Sequence, residues 1–228
     1  MRTPRVIVFD WDDTLVDNWR SIHAGVNAAL RAMGRQAWSF DEFRSRTREG
    51  ASLRDIFPRI FGDRWEEARD VFYATFEAGH RETLTVLPGA EEMLATLHGT
   101  GLVLAVVSNK VGRYLRREAE HLGWDGYFHR LVGATDAVRD KPAPEPVWLA
   151  LQGTVVAPEN MSAADVWFVG DNESDMRCAH DAGCLPVLLR SRPPGEDEFA
   201  YCPPQRYFPH CAALARAVHE LLFPKNPF

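Results

Sequence analysis

The stretch Val6-Ile7-Val8-Phe9-Asp10-Trp11-Asp12-Asp13-Thr14 decides the fold. Val6 to Phe9 form a short, continuously apolar run rich in β-branched residues, which reads as a strand buried on both faces. The run then stops in acid, with Asp10, Asp12 and Asp13 following directly. Four apolar residues ending this way do not make a signal peptide. In open α/β sheets, ligands bind outside the carboxyl ends of the strands. A buried strand that ends in aspartates therefore asks what else the chain brings to that edge.

Working outward, residues 17–86 change pattern. Trp19, Ile22, Val26, Leu30 and Met33 recur at helical spacing, as do Trp65, Ala68, Phe72 and Phe76. Ser39 stands before Asp41-Glu42 as an N-cap for a further short helix. The block reads as wholly helical. From Pro88-Gly89 onward, strands and helices alternate. A helix carries Met93, Leu94 and Leu97, and 102–107 is a strand. The helix at 111–122 closes on Gly123, and 130–132 is a short strand. A helix at 145–151, a strand at 166–169, a helix at 173–182 and a strand at 185–189 follow, with 206–208 finishing the sheet before a last helix at 212–222. Such alternation means right-handed βαβ units and a parallel sheet. The expected class is α/β, a Rossmann-like doubly wound core at 1–16 and 87–228. A helical cap at 17–86 is inserted after strand one.

Three later segments join the aspartates at the strand edge. Ser108-Asn109-Lys110 follows the strand at 102–107. Asp140-Lys141-Pro142 precedes the helix at 145–151. Gly170-Asp171-Asn172-Glu173-Ser174-Asp175 follows the strand at 166–169. Each has a plainer reading. An Asp pair after a strand can be a turn or a cap, Ser108-Asn109 can cap a helix, and Asp175 can sit in a first turn favoured by the helix dipole. Lys141 can be a surface lysine, but the chain has only Lys110, Lys141 and Lys225. Whether the Lys141-Pro142 peptide is cis is open from sequence. Trp11 is expected to pack beneath its loop, and the scattered histidines to lie mostly at the surface.

Bulk properties narrow the partners. The 228 residues carry a net charge of −6 with no basic patch of the kind that holds nucleic acid. No apolar run approaches a membrane span. Cys178, Cys184, Cys202 and Cys211 form no CxxC pair, so reduced thiols are expected rather than disulfides or zinc ligands. A soluble cytoplasmic protein, monomer or homodimer, is the expectation.

With four motifs in order, the chain resembles the haloacid dehalogenase-like superfamily over nearly its whole length. Asp10 to Thr14 match the first motif, Ser108 the second, Lys141 the third, and Gly170-Asp171 with Asp175 the fourth. The resemblance implies an Mg²⁺-dependent phosphatase acting on a small phosphorylated metabolite, phosphoglycolate-like or a sugar phosphate, through an aspartyl-phosphate. It implies Asp10 as nucleophile and Asp12 as general acid and base, with Ser108, Asn109 and Lys141 holding the phosphate. It assigns the metal to Asp10, Asp171 and the backbone carbonyl of Asp12, with Asp175 supporting from behind. The chemistry is consistent with this. A carboxylate attacks phosphorus if cations screen two approaching anions, and clustered carboxylates suit a hard divalent ion.

Asp12 argues against the dehalogenases of the superfamily, whose leaving halide needs no proton. The absence of lysine from 17–86 argues against a Schiff-base route to C–P hydrolysis. The position of the insertion resembles the small helical caps of phosphoglycolate phosphatase-like and β-phosphoglucomutase-like members. The stretch Arg48-Glu49-Gly50-Ala51-Ser52-Leu53-Arg54 resembles their specificity loop, with Arg48, Ser52 and Arg54 as candidate substrate contacts. A plain interhelix loop is the alternative. A β-phosphoglucomutase-like phosphotransferase is the runner-up activity. A non-enzymatic phospho-receiver module is the alternative from a different class.

Overall fold

The computed structural model describes residues 3–47, 52–157 and 161–224. Six parallel strands form one sheet in the order β5-β4-β1-β6-β7-β8. They are β1 (Val6–Phe9), β4 (Val103–Val111), β5 (Arg130–Ala134), β6 (Val166–Gly170), β7 (Leu185–Leu189) and β8 (Arg206–Phe208). β1 lies between β4 and β6, where the winding reverses, and so feeds the crevice at the switch point.

Strand alternation sends successive side chains to opposite faces, and each face has its own core. Ile7 and Phe9 join Leu104, Val106, Trp167 and Val169 on one face. There they pack on α5 (Ala90–Gly99), α6 (Gly112–His121) and α9 (Cys211–Leu222). Val6 and Val8 join Ala105, Val107 and Phe168 on the other, under α7 (Glu145–Leu151) and α8 (Glu173–Ala182). Burial on both faces is why these strands read as unbroken apolar runs.

Between β1 and α5 lie α1 (Trp19–Ala32), α2 (Phe40–Arg46), α3 (Leu53–Phe61) and α4 (Trp65–Gly79). Val26, Leu30, Phe43, Phe57, Phe61, Ala68, Phe72 and Phe76 form a third core, closed by Tyr114 of α6. The Ser39 cap is present, with Glu42 returning a bond to the Ser39 amide as a full capping box. The block is not wholly helical, however. β2 (Val16–Asp17) pairs antiparallel with β3 (Thr85–Val86) and ties its two passages together. Two residues per strand are too few to show a period, so the ribbon has no sequence signature.

Trp11 is fully buried, edge-on to Trp124 and Phe128, as expected of a residue beneath the loop. All four cysteines are free and buried. Among the described residues, no helix is long and apolar enough to cross a membrane.

Candidate active site

The carboxyl end of β1 is held by the Asp10 amide, which donates to the Val169 carbonyl of β6 at 2.8 Å. The Asp10 side chain is buried there. The chain then turns tightly. Asp13 sits at φ +63 and donates its amide to Val16, a conformation that Asp tolerates better than most residues. Its carboxylate receives Trp19 Nε1 at 2.5 Å. The turn thus leaves Asp10 and Asp12 facing the crevice.

The second segment differs from its expected form. β4 does not stop at Val107 but runs to Val111, with a register shift against β5 between those residues. Ser108, Asn109 and Lys110 therefore lie in a bulged strand end, and α6 begins only at Gly112. Ser108 does not cap that helix. Its Oγ accepts from the Lys110 amide at 3.1 Å. Asn109 Nδ2 donates to the Lys141 carbonyl at 3.0 Å, joining the second segment to the third. The crossing is close. A Cβ on Gly133 would fall 2.5 Å from the Lys110 carbonyl oxygen and 2.4 Å from the Gly112 Cα, so only glycine fits.

Lys141 is buried, and its peptide bond to Pro142 is cis. Its ammonium lies 2.5 Å from Asp10 Oδ1 and 2.7 Å from Asp175 Oδ1. The other Asp175 oxygen accepts from the amides of Asp171 (3.1 Å) and Asn172 (3.2 Å), so both its oxygens are occupied. Asp175 thereby completes a capping box with Asn172 at the start of α8. Asp171 accepts from Asn172 Nδ2 at 3.0 Å, and no cationic side chain pairs with it among the described residues.

Oxygens of Asp10, Asp171 and Asp175 converge within 4.8 Å of one another. Burial first, and then the Asp175 charge, push Asp10 up to about 7 against the opposing pull of Lys141. Burial and the neighbouring Asp175 and Asp10 likewise raise Asp171 well above the usual carboxylate range. One lysine among three carboxylates leaves a surplus of negative charge with hard oxygen donors. That donor set fits a divalent cation.

Asp12 lines the same cleft and is set by a different lysine. Lys110 Nζ donates to Asp12 Oδ1 at 2.8 Å and to Glu118 Oε2 at 2.5 Å. Burial raises Asp12 to about 6, with Lys110 opposing and Glu118 adding to the rise. Glu118 is fully buried and also accepts from Trp11, Asn18 and His80, each at 2.7 Å. Burial alone would raise its carboxyl. The Lys110 charge and the donors from His80, Lys110 and Trp11 outweigh that and hold it below the usual range. Lys110 as an Asp12 partner, Glu118 and the buried His80 were not among the candidates from sequence. Glu118 sits in an Arg/Glu-rich helix that reads as solvated, and His80 gives no local signal of burial.

A cavity of about 150 Å³ opens over these groups. Asp10, Asp12, Ser108, Asn109, Lys141 and Asp171 line its floor. Ile22, Thr47, Leu53, Ile56 and Tyr73 line its roof, from the helices after β1. Ser52 is not in that lining. It is buried, and its hydroxyl accepts from the Arg54 amide as the N-cap of α3. Arg48 lies outside the described residues. Arg54 reaches Asp140 at 3.7 Å, bridging α3 to the segment that carries Lys141.

A family model described as haloacid dehalogenase-like hydrolase matches residues 7–188. The chain belongs to the haloacid dehalogenase-like hydrolases. Among curated relatives, it is 31% identical over 185 residues to the phosphoglycolate phosphatase of Cereibacter sphaeroides, covering 78% of this chain and 81% of that one. It is 29% identical over 198 residues to a phosphoglycolate phosphatase of Pseudomonas fluorescens, covering 82% and 70%. Among solved structures, a haloacid dehalogenase-superfamily hydrolase of Ehrlichia chaffeensis shares 30% identity with a TM-score of 0.65, over 97% of this chain and 99% of that one. A haloacid dehalogenase-like hydrolase of Bacteroides fragilis, at 23% identity and a TM-score of 0.81 over 92% and 99%, shares the fold. Within the haloacid dehalogenase-like hydrolases the chain is phosphoglycolate phosphatase-like, a phosphoric monoester hydrolase. Membership removes the phospho-receiver alternative.

Proposed function

We propose that the protein is an Mg²⁺-dependent phosphatase that hydrolyses a small phosphorylated metabolite through an aspartyl-phosphate on Asp10. The observation that carries this reading is the buried Lys141 ammonium between Asp10 and Asp175, with Asp171 beside them. It sets one buried positive charge beside a carboxylate placed for attack, and a cation held by the acidic cluster would offset the surplus negative charge that otherwise repels a phosphate dianion. The phosphoglycolate phosphatases among the relatives support a phosphoglycolate-like ester or a sugar phosphate.

Asp10 and Asp171, with the backbone carbonyl of Asp12, would hold the cation. Asp175 supports them from behind, because both its oxygens are already engaged by Lys141 and the two amides. When bound, the cation supplies charge neutralisation between the carboxylate and the phosphate.

The remaining chemistry belongs to the chain. Ser108 and Lys141 meet the phosphate oxygens, and Asn109 keeps the Lys141 segment in place through its carbonyl. An Asp10 oxygen attacks phosphorus as the ester P–O bond breaks in line with it. Asp12, raised to about 6, gives its proton to the departing oxygen. It then takes one from the water that opens the aspartyl-phosphate, freeing phosphate and restoring Asp10. Residues 1–16 and 87–228 form the catalytic core in this reading, and 17–86 cap it and exclude water.

The test is phosphate release from p-nitrophenyl phosphate and a panel of metabolite phosphates, phosphoglycolate included, with Mg²⁺. Asp10→Asn lowers turnover by at least ~10³-fold, as expected when a nucleophile is removed, and forms no phosphoenzyme. Near-normal turnover by pure Asp10→Asn protein would sink the mechanism.

A further inference from the structure

The lysine beside Asp12 is not part of the phosphate grip described above, yet its ammonium, like that of Lys141, joins two carboxylates. Lys110 reaches Asp12 from a side chain only 5% exposed, anchored at its other side by Glu118. Glu118 is fully buried and does not line the cavity, so it cannot touch substrate. It accepts four hydrogen bonds, from Trp11 Nε1, Asn18 Nδ2, His80 Nδ1 and Lys110 Nζ. Trp11 lies beside Asp12 in the chain. Asn18 immediately precedes α1 and His80 immediately follows α4. One carboxylate thus collects donors from the catalytic turn and from both passages into the helical insertion.

A buried ion pair is weak evidence of stabilisation, because desolvation of both charges offsets their attraction. What this pair does is fix the place of one ammonium. Lys110 Nζ bonds Asp12 through Oδ1, and Oδ2 takes no hydrogen bond among the described residues. The free oxygen is then the one available to the leaving group.

We propose that Lys110 and Glu118 are positioning residues for Asp12. Glu118 fixes the Lys110 ammonium, and Lys110 fixes Asp12 Oδ1, so that Oδ2 faces the oxygen leaving phosphorus. This rests on the reading of Asp12 as general acid and adds the machinery that aims it. Misaiming an acid harms substrates that need a proton and spares those that do not.

The experiment compares kcat/KM for benzyl phosphate, whose alkoxide leaves only with a proton, and p-nitrophenyl phosphate, whose phenolate leaves without one. Both carry one aryl ring. In Mg²⁺-loaded enzyme, Lys110→Met lowers kcat/KM for benzyl phosphate by roughly 100-fold and for p-nitrophenyl phosphate by at least about tenfold less. Glu118→Gln shifts the two in the same order. If Lys110→Met does not fold, Lys110→Gln carries the same comparison. Equal losses on both substrates, or no loss on either, overturn the assignment. Asp12→Asn is the control. If it shows the gap and the Lys110 and Glu118 variants do not, only the positioning roles fall. If Asp12→Asn shows no gap, the general-acid reading falls and the positioning roles with it.

Discussion

The Lys141 ammonium lies 2.5 Å from the Asp10 carboxylate, although 131 positions separate the two residues. The sheet makes the meeting possible. β1 delivers Asp10 at the switch point, and Asn109 at the bulged end of β4 holds the Lys141 carbonyl. Lys141 also serves Asp175, so one buried cation answers two buried anions.

Breaking that arrangement from the cationic side is costly. Lys141→Met leaves Asp10 and Asp175 buried without their shared counter-charge. Removing one partner of a buried ion pair destabilises by about 3–5 kcal/mol. Urea denaturation of the metal-free protein measures it. A loss below about 1 kcal/mol, the range of exposed pairs, would show that the carboxylates do not depend on Lys141.

Gly170 is a second point of dependence. A Cβ there would lie 2.4 Å from Cβ, Cγ and Oδ2 of Asp175, too close for any side chain without displacement. Gly170→Ala therefore forces Asp175 off the amides of Asp171 and Asn172. Overpacking of this kind costs about 1–3 kcal/mol. Disturbing an outer partner of a metal ligand weakens metal affinity by roughly 10–100-fold. Thermal melts and an Mg²⁺ titration read the two effects separately. Wild-type affinity in the Ala variant would mean that Asp175 does not orient the Asp171 loop.

Much of this was legible because apolar period is a local signal. β1, α1 and α4 announce themselves by their own residues, and Ser39 with Glu42 marks the start of α2. The aspartates after β1 and β6 are readable because an apolar run ends at each. Other features depend on partners far along the chain. Ser108-Asn109-Lys110 reads as a loop, yet it continues β4 because β5 passes so close at Gly133. α3 contains Pro58 and hides behind a loop-like stretch, and Ser52, a candidate substrate contact, turns out to cap that helix. Glu118 lies among Arg116, Arg117 and Glu120, a setting that suggests solvent. Only the approach of Trp11, Asn18 and His80 makes it a fully enclosed carboxylate beside the cleft.

The acidic cluster also couples stability to pH and to a cation. Asp10 and Asp12 rise from 3.8 to about 7 and about 6 in the folded protein, both chiefly through burial. Between those limits the folded state holds protons that the unfolded chain has released. These two groups therefore withdraw stability from the metal-free protein as pH rises from about 4 to about 7. A cation binds the deprotonated carboxylates, so its stabilising effect grows over the same interval. At a concentration of roughly 100 times Kd, a bound ligand contributes about 2.7 kcal/mol, worth roughly 5–10 °C in a chain of this size. Thermal melts in EDTA and in Mg²⁺ at about pH 5, about pH 6 and about pH 7.5 bracket the window. The gain in Tm from Mg²⁺ is smallest at the lowest pH and largest at the highest. A gain that is the same at all three, or absent, would separate cation binding from Asp10 and its neighbours.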